Sequence, residues 1–156
     1  AVSKAMVEAH PYEEVAHDWV VLNNVSREYG GGVVGELPVA MDKVAFLKQL
    51  KSRMGLDVVK HTKCDVTQVR RVAICGGAGS FLIGDAVRAG VDAFVTSDVK
   101  YHEFFDAEEK LLLCDIGHYE SEKYTIDLFS SLLSSKFPKF ATIFAETITN
   151  PIDYLR

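Results

Sequence analysis

The chain has 156 residues, 48% of them hydrophobic, and a net charge of −5. That length suits one domain, or one domain with part of another, and the acidic balance argues against a general nucleic-acid-binding surface. No apolar run approaches roughly 18 residues and no signal-peptide pattern is present, so a cytoplasmic location with no membrane partner is expected.

The charge is unevenly placed. Between Asp98 and Asp127 nine acids stand against three lysines, and this stretch accounts for the whole net charge. A local negative field attracts cations, although solvated helix faces would give the same count. The three cysteines, Cys64, Cys75 and Cys114, form no Cys-x-x-Cys pair, so reduced, buried thiols are the expectation.

Val2, Met6 and Val7 repeat at helical spacing, and His10-Pro11 should stop that helix. The chain thus opens inside an element, like a piece of something longer. Val15 to Leu22 reads as a strand ended by Asn23-Asn24. Ser26 to Gly32 is polar, closes on three glycines, and is the best boundary candidate. No Lys-Ser/Thr follows those glycines, which excludes a P-loop. Val33 to Leu37 reads as a short strand or extended segment closed by Pro38. Asp42 then caps a helix ending at Met54-Gly55. Asp57 to His61 is a candidate strand, and His61 has no second metal ligand spaced near it.

From Val69 the pattern becomes α/β. Arg71–Cys75 is a strand, and Gly76-Gly-Ala-Gly-Ser80 is a turn into a helix over Phe81–Ala89. That geometry can expose backbone N–H groups to an anion. The spacing is not a dinucleotide fingerprint, so close strand–helix packing is favoured, while a phosphate-bearing substrate stays open. Val91–Thr96 is the next strand, with Ser97-Asp98 at its carboxyl end. A helical turn over Val99–Phe105 carries Lys100, Tyr101 and His102. Leu111–Cys114 is another strand. After Asp115-Ile-Gly117 a long helix runs to Ser134-Ser135, with Tyr124, Leu128, Phe129, Leu132 and Leu133 on one stripe. Lys139–Ala145 reads as a last strand, and Ile152, Tyr154 and Leu155 can pin the tail. The expected fold is α/β, a layered and mainly parallel sheet with flanking helices.

Two neighbouring strands thus deliver polar residues to one edge: Asp98 and His102 from the first, Asp115 and His118 from the second. Ligands bind at such carboxyl edges, and convergence is stronger evidence than any single residue. His118 and Glu122 are four apart, so they share a helix face in its first turn. An imidazole and a carboxylate placed so can ligate one divalent metal. The alternative is an acidic first turn favoured by the helix dipole.

Cys75-Gly-Gly-Ala-Gly79, Thr96-Ser-Asp-Val-Lys-Tyr-His102 and Asp115-Ile-Gly-His-Tyr-Glu-Ser-Glu122 together resemble three successive motifs of the NIF-three-like proteins, also known as GTP cyclohydrolase type-two homologues. Gly32-Val-Val-Gly-Glu-Leu37 resembles the preceding segment, and Thr149-Asn-Pro151 the C-terminal end. The resemblance covers roughly residues 30–156. It implies two metal ions in a cleft (zinc, manganese or iron) and a ring-shaped homo-oligomer, often a hexamer. The ligands it implies are an adjacent histidine pair, a mid-chain aspartate, and a final His-x-x-x-Glu. Only the last maps here, onto His118 and Glu122, since the chain has no His-His pair. Some members carry an insert resembling PII and CutA proteins. Glu8-Ala-His-Pro-Tyr-Glu-Glu14 looks like its end, so residues 1–29 are read as the insert's tail and 30–156 as the C-terminal part of the metal-binding domain. The reading is a metal-dependent hydrolase acting on a nucleotide or phosphoester, with His118 and Glu122 as ligands and Asp98 and His102 as supporting or water-handling groups. The competing reading is a metal-binding scaffold that acts through partners. A PII-like regulatory module would rest on residues 1–25 alone.

Overall fold

Strands β4 (Ala93–Ser97) and β5 (Leu112–Asp115) are buried at every position. Continuous apolar runs of this kind belong to central parallel strands covered on both faces. In the computed structural model, which describes residues 1–21 and 29–155, they lie inside a five-stranded sheet of order β1-β3-β4-β5-β2. β3 (Gln68–Ala78) runs parallel to β4, and β4 parallel to β5, with Thr96 opposite Asp115. The edges β1 (Val33–Asp42) and β2 (Lys60–His61) pair antiparallel, to β3 and β5 respectively.

Alternation along the central strands divides the core between the two faces. Phe94, Leu111 and Leu113 pack with Ile83 and Ala86 of α3 (Ile83–Arg88). Val72, Val95, Leu112 and Cys114 pack with Phe46 of α2 (Lys43–Met54). Asp42 caps α2 as expected, its Oδ1 accepting the N–H groups of Val44 and Ala45 at 2.9 and 3.2 Å. Gly55 ends it at φ 57°, a left-handed conformation that favours glycine. A 3-10 turn over Ser80–Leu82 precedes α3, and a 3-10 segment, Tyr101–Ala107, follows β4. Beyond β5 lie α4 (His118–Glu122) and α5 (Thr125–Lys136). α1 (Val2–Ala9) stops before His10-Pro11 and buries none of its residues. No helix among the described residues is long and apolar enough to cross a membrane.

Five expectations need correction. The strand over Val15–Leu22 does not form across residues 15–21, while Leu22 lies outside the described residues. Trp19 and Val21 are exposed, with no ladder partner among the described residues. β1 does not close at Pro38 but continues to Asp42. It lies at the sheet edge and its register shifts between Glu36 and Met41, and an edge or bulge is where proline fits a strand. The strand expected over Asp57–His61 shrinks to two residues. The long helix from His118 breaks at Lys123-Tyr124. There Lys123 Nζ and the Tyr124 hydroxyl reach the backbone oxygens of Gly55 and Arg53, both at 3.4 Å, and Thr125 Oγ1 donates to the Glu122 carbonyl at 2.8 Å. These side-chain bonds tie the turn to the end of α2 and compete with a continuous helix. Finally, Lys139–Ala145 forms no strand. It runs beside α5, where Thr142 Oγ1 meets the hydroxyls of Ser130 and Ser134 at 3.3 and 3.4 Å. Of the linker expected over Ser26–Gly32, residues 26–28 lie outside the described residues.

Candidate metal centre

Because β4 and β5 are parallel neighbours, their carboxyl ends emerge side by side. Asp98 follows β4 directly, and His118 begins α4 three residues after β5. Asp98 sits at φ 56°, an uncommon conformation for a residue with a side chain. Such strain concentrates at functional sites. From this position its Oδ2 lies 2.7 Å from His118 Nδ1. On the other side of the ring, His118 Nε2 lies 3.3 Å from Glu122 Oε2. All three side chains are about half exposed. The hydrogen bond to Asp98 chiefly raises the His118 pKa above the ordinary imidazole value. Partial burial opposes the rise, and the charges of Asp98 and Glu122 add to it.

These residues fit a metal ion. Two ligands each about 2.0–2.2 Å from one ion, at tetrahedral or octahedral angles, stand roughly 3.0–3.5 Å apart. The His118–Glu122 separation falls in that range. A carboxylate on the far imidazole nitrogen is the usual way to fix the tautomer and orientation of a ligating histidine, and Asp98 occupies that place. Among the described residues no group of three or more His, Cys, Asp or Glu is arranged around one ion, so the chain offers a pair.

The glycine-rich turn makes room for the pair. A Cβ on Gly77, which sits at φ 66°, would fall 2.4 Å from Glu122 Oε1 and 3.5 Å from His118 Cε1. The Gly77 N–H donates to Ser121 Oγ at 2.8 Å, and Ser121 Oγ donates to the His118 carbonyl at 2.8 Å. The Gly77 carbonyl accepts from Thr96 Oγ1 and Ser97 Oγ at 3.2 and 2.6 Å. The turn therefore braces α4 against β4, and the Gly77 amide is engaged rather than held open for an anion.

Sequence reasoning gave Asp115 no role beyond its place at the edge. Its buried carboxylate accepts the N–H groups of Val99 at 3.3 Å and Gly117 at 3.1 Å, and pairs with Lys60 Nζ at 2.5 Å. It thus ties together the loops that carry Asp98 and His118. The available signal was an acid ending an entirely apolar strand. The tyrosine of the tail, Tyr154, brings its hydroxyl beside Gly117, where partial burial and the nearby Glu120 and Asp115 charges raise its pKa.

His102 is exposed on the 3-10 segment, its ring edge-on to Tyr101 with centroids 5.2 Å apart. No hydrogen bond or ion pair among the described residues joins it to Asp98, His118 or Glu122. His61 lies on edge strand β2, its Nδ1 2.9 Å from the Thr62 carbonyl oxygen.

The profile of the Duf34/NIF3 (NGG1p interacting factor 3) family matches residues 4–151. The chain belongs to the DUF34/NIF3 family. A Bacillus subtilis relative, named GTP cyclohydrolase 1 type 2 homolog, is 36% identical over 99% of this chain and 43% of its own length. A Bacillus cereus protein related to NIF3 superposes with a TM-score of 0.69 at 30% identity, covering 99% of this chain and 43% of its own. The protein ybgI, of unknown function, superposes at a TM-score of 0.61 and 30% identity, covering 67% of this chain and 43% of its own. The chain therefore spans less than half the length of the curated DUF34/NIF3 relatives it matches.

Proposed function

We propose that this chain supplies His118 and Glu122 to a divalent-metal site of a DUF34/NIF3 protein, with Asp98 orienting His118. The observation that carries the reading is one imidazole held between two carboxylates. Its Nε2 stands at ligand-pair distance from Glu122, and its Nδ1 is fixed by Asp98. A catalytic zinc site normally uses three protein ligands, so the remaining ones would come from the part of the family length outside this chain. A nitrogen–oxygen pair suits zinc, manganese or iron, and the family resemblance implies two ions. Bound divalent ions supply activation of water and stabilisation of developing negative charge. The reaction class is hydrolysis of a nucleotide or phosphoester, a reading supported by the name of the curated relatives. His102, at the same sheet edge, would handle water or substrate protons.

A second reading, a metal-holding scaffold working through partners, is favoured by the bare apolar stripe of α5, which buries none of its residues. The same stripe supports self-association as the partner interaction. Residues 1–29 are proposed as the tail of a PII/CutA-like insert. This is supported by an α1 that buries no residue and by relatives that cover 99% of the chain in one case and 67% in another.

Calorimetric titration of the chain with zinc or manganese tests the proposal. Weak binding, lost in His118→Ala and in Gly77→Ala, is expected. Gly77→Ala acts by driving its Cβ into Glu122. Binding that survives His118→Ala would remove the metal assignment. Tight stoichiometric binding abolished by that substitution would show a complete site within this chain. Metal-dependent turnover of a nucleotide panel by the full-length protein separates hydrolase from scaffold.

A further inference from the structure

The C-terminal segment crosses the molecule on the side of the metal pair. Thr147 and residues 149–152 line a cleft of about 460 Å³ whose other wall carries His118 and Glu122. Asp153, Tyr154 and Leu155 then border a second hollow of about 690 Å³ with Lys51, Asp57 and Val58, near the end of α2. Between the two, the Tyr154 hydroxyl comes over Gly117, the residue before His118. We propose that this segment is a strap across the His118–Glu122 cleft, latched by Tyr154 at Gly117, and that releasing the latch opens the pair to an incoming ligand. The inference rests on the metal reading for what the pair binds, while the strap is a property of the chain and is tested without metal.

The segment has little else to hold it past Thr142, whose hydroxyl meets α5. Residues 143–155 form no helix or strand, and no backbone hydrogen bond among the described residues ties them to another element. Asn150 Oδ1 accepts the Ile152 N–H at 3.2 Å and Asp153 Oδ1 accepts the Tyr154 N–H at 2.9 Å, both within the segment. Ile148, Ile152 and Leu155 are exposed, whereas Tyr154 is partly buried. An aromatic ring also brings more contact area than these aliphatic side chains. Gly117 makes the seat. At φ 89° it holds a conformation open to glycine. A Cβ there would overlap Glu120 Oε2 and stand 3.3 Å from the Tyr154 hydroxyl, so the bare backbone leaves room for the tyrosine to close on the turn. Segments with few buried contacts open at low free-energy cost, and lids of this kind set access to a site. Opening uncovers the His118–Glu122 side of the cleft without disturbing His118 Nδ1, which Asp98 holds from the end of β4. The strap therefore governs access, and Asp98 governs orientation.

The test uses the isotope-labelled chain, kept metal-free with chelator, and reads two things. Heteronuclear NOE values report the order of residues 147–155, and peptide mass mapping reports the rate at which diethyl pyrocarbonate modifies His118, with His102 as the internal reference. In the wild type the segment should be as ordered as α4. Tyr154→Ala should drop its NOE values and speed His118 modification severalfold with His102 unchanged. Tyr154→Phe, which keeps the ring, should restore both readouts, and Leu155→Ala should alter neither. Core amide shifts report that each variant is folded. A wild-type segment as mobile as a free tail would overturn the proposal. So would a Tyr154→Ala chain with both readouts unchanged, a Leu155→Ala chain that matches it, no rescue by phenylalanine, or His102 accelerating in step with His118. A separate zinc titration reports on the metal reading, and its failure would sink that reading without touching the strap.

Discussion

Asp98 adopts a left-handed backbone that asparagine tolerates as well, which makes Asp98→Asn a clean test of its charge. In the wild-type chain the Asp98 hydrogen bond raises the His118 pKa. A raised folded-state pKa stabilises the fold fully below the unfolded imidazole value, about 6.5. That stabilisation fades as pH rises through the folded value. Asp98→Asn should bring the His118 titration, followed by NMR, down toward the ordinary range. Its melting temperature should trail the wild type between about pH 5 and 6.5 and converge at higher pH, as the wild-type imidazole loses its proton. A gap that persists unchanged at pH 9 would mean that Asp98 acts by packing rather than charge. At this scale the sequence was informative about His118, Glu122 and Asp98, because four-residue spacing and strand ends are local signals. Asp115 and Gly77 were not legible in the same way, since their partners Lys60 and Glu122 are distant in the chain. Cys114 is free and buried as expected, and burial chiefly pushes its thiol up to about 12.

Among the elements, β2 is only two residues long, yet it closes one edge of the sheet. Thr62 extends its hold on β5. The Thr62 N–H donates to the Leu113 carbonyl at 3.1 Å. The buried hydroxyl donates to the Leu111 carbonyl at 2.8 Å and accepts the Leu113 N–H at 3.0 Å. Thr62→Val keeps the shape and removes both hydroxyl bonds, leaving the Leu113 N–H and the Leu111 carbonyl only their mutual contact at 3.0 Å, at a cost of about 0.5–1.5 kcal/mol for each bond lost. Denaturant titration should show a lower midpoint with an unchanged slope, and no loss would mean that the Leu113–Leu111 contact suffices. The central strands and α2 were readable from apolar runs and caps. The absent strands at 15–21 and 139–145 were not, because an apolar run carries no information about whether a ladder partner exists. The break at Lys123-Tyr124 was hidden for a related reason: its cause lies at Gly55 and Arg53 on another helix.

For the molecule as a whole, the stripe Leu128, Phe129, Leu132 and Leu133 was readable as an amphipathic face, but its destination was not. All four side chains are exposed, and Phe140, Ile143 and Phe144 add apolar surface beyond α5. Bare apolar patches on this scale mark interaction sites. Sedimentation velocity should show concentration-dependent self-association of the chain, and the double variant Leu128→Asp, Leu132→Asp should remain monomeric. A wild-type chain that stays monomeric across the accessible concentration range would rule this face out as a self-contact.

The parallel pairing of Thr96 with Asp115 also has a kinetic consequence. Asp98 and His118 lie a few residues beyond that rung on different strands, so a chain in which β5 has not joined β4 cannot make their contact. Parallel strands join through non-local pairing, which is slow to form. During refolding, the moment His118 acquires its raised proton affinity is therefore the moment the sheet closes at this edge. The imidazole is a built-in clock for that step.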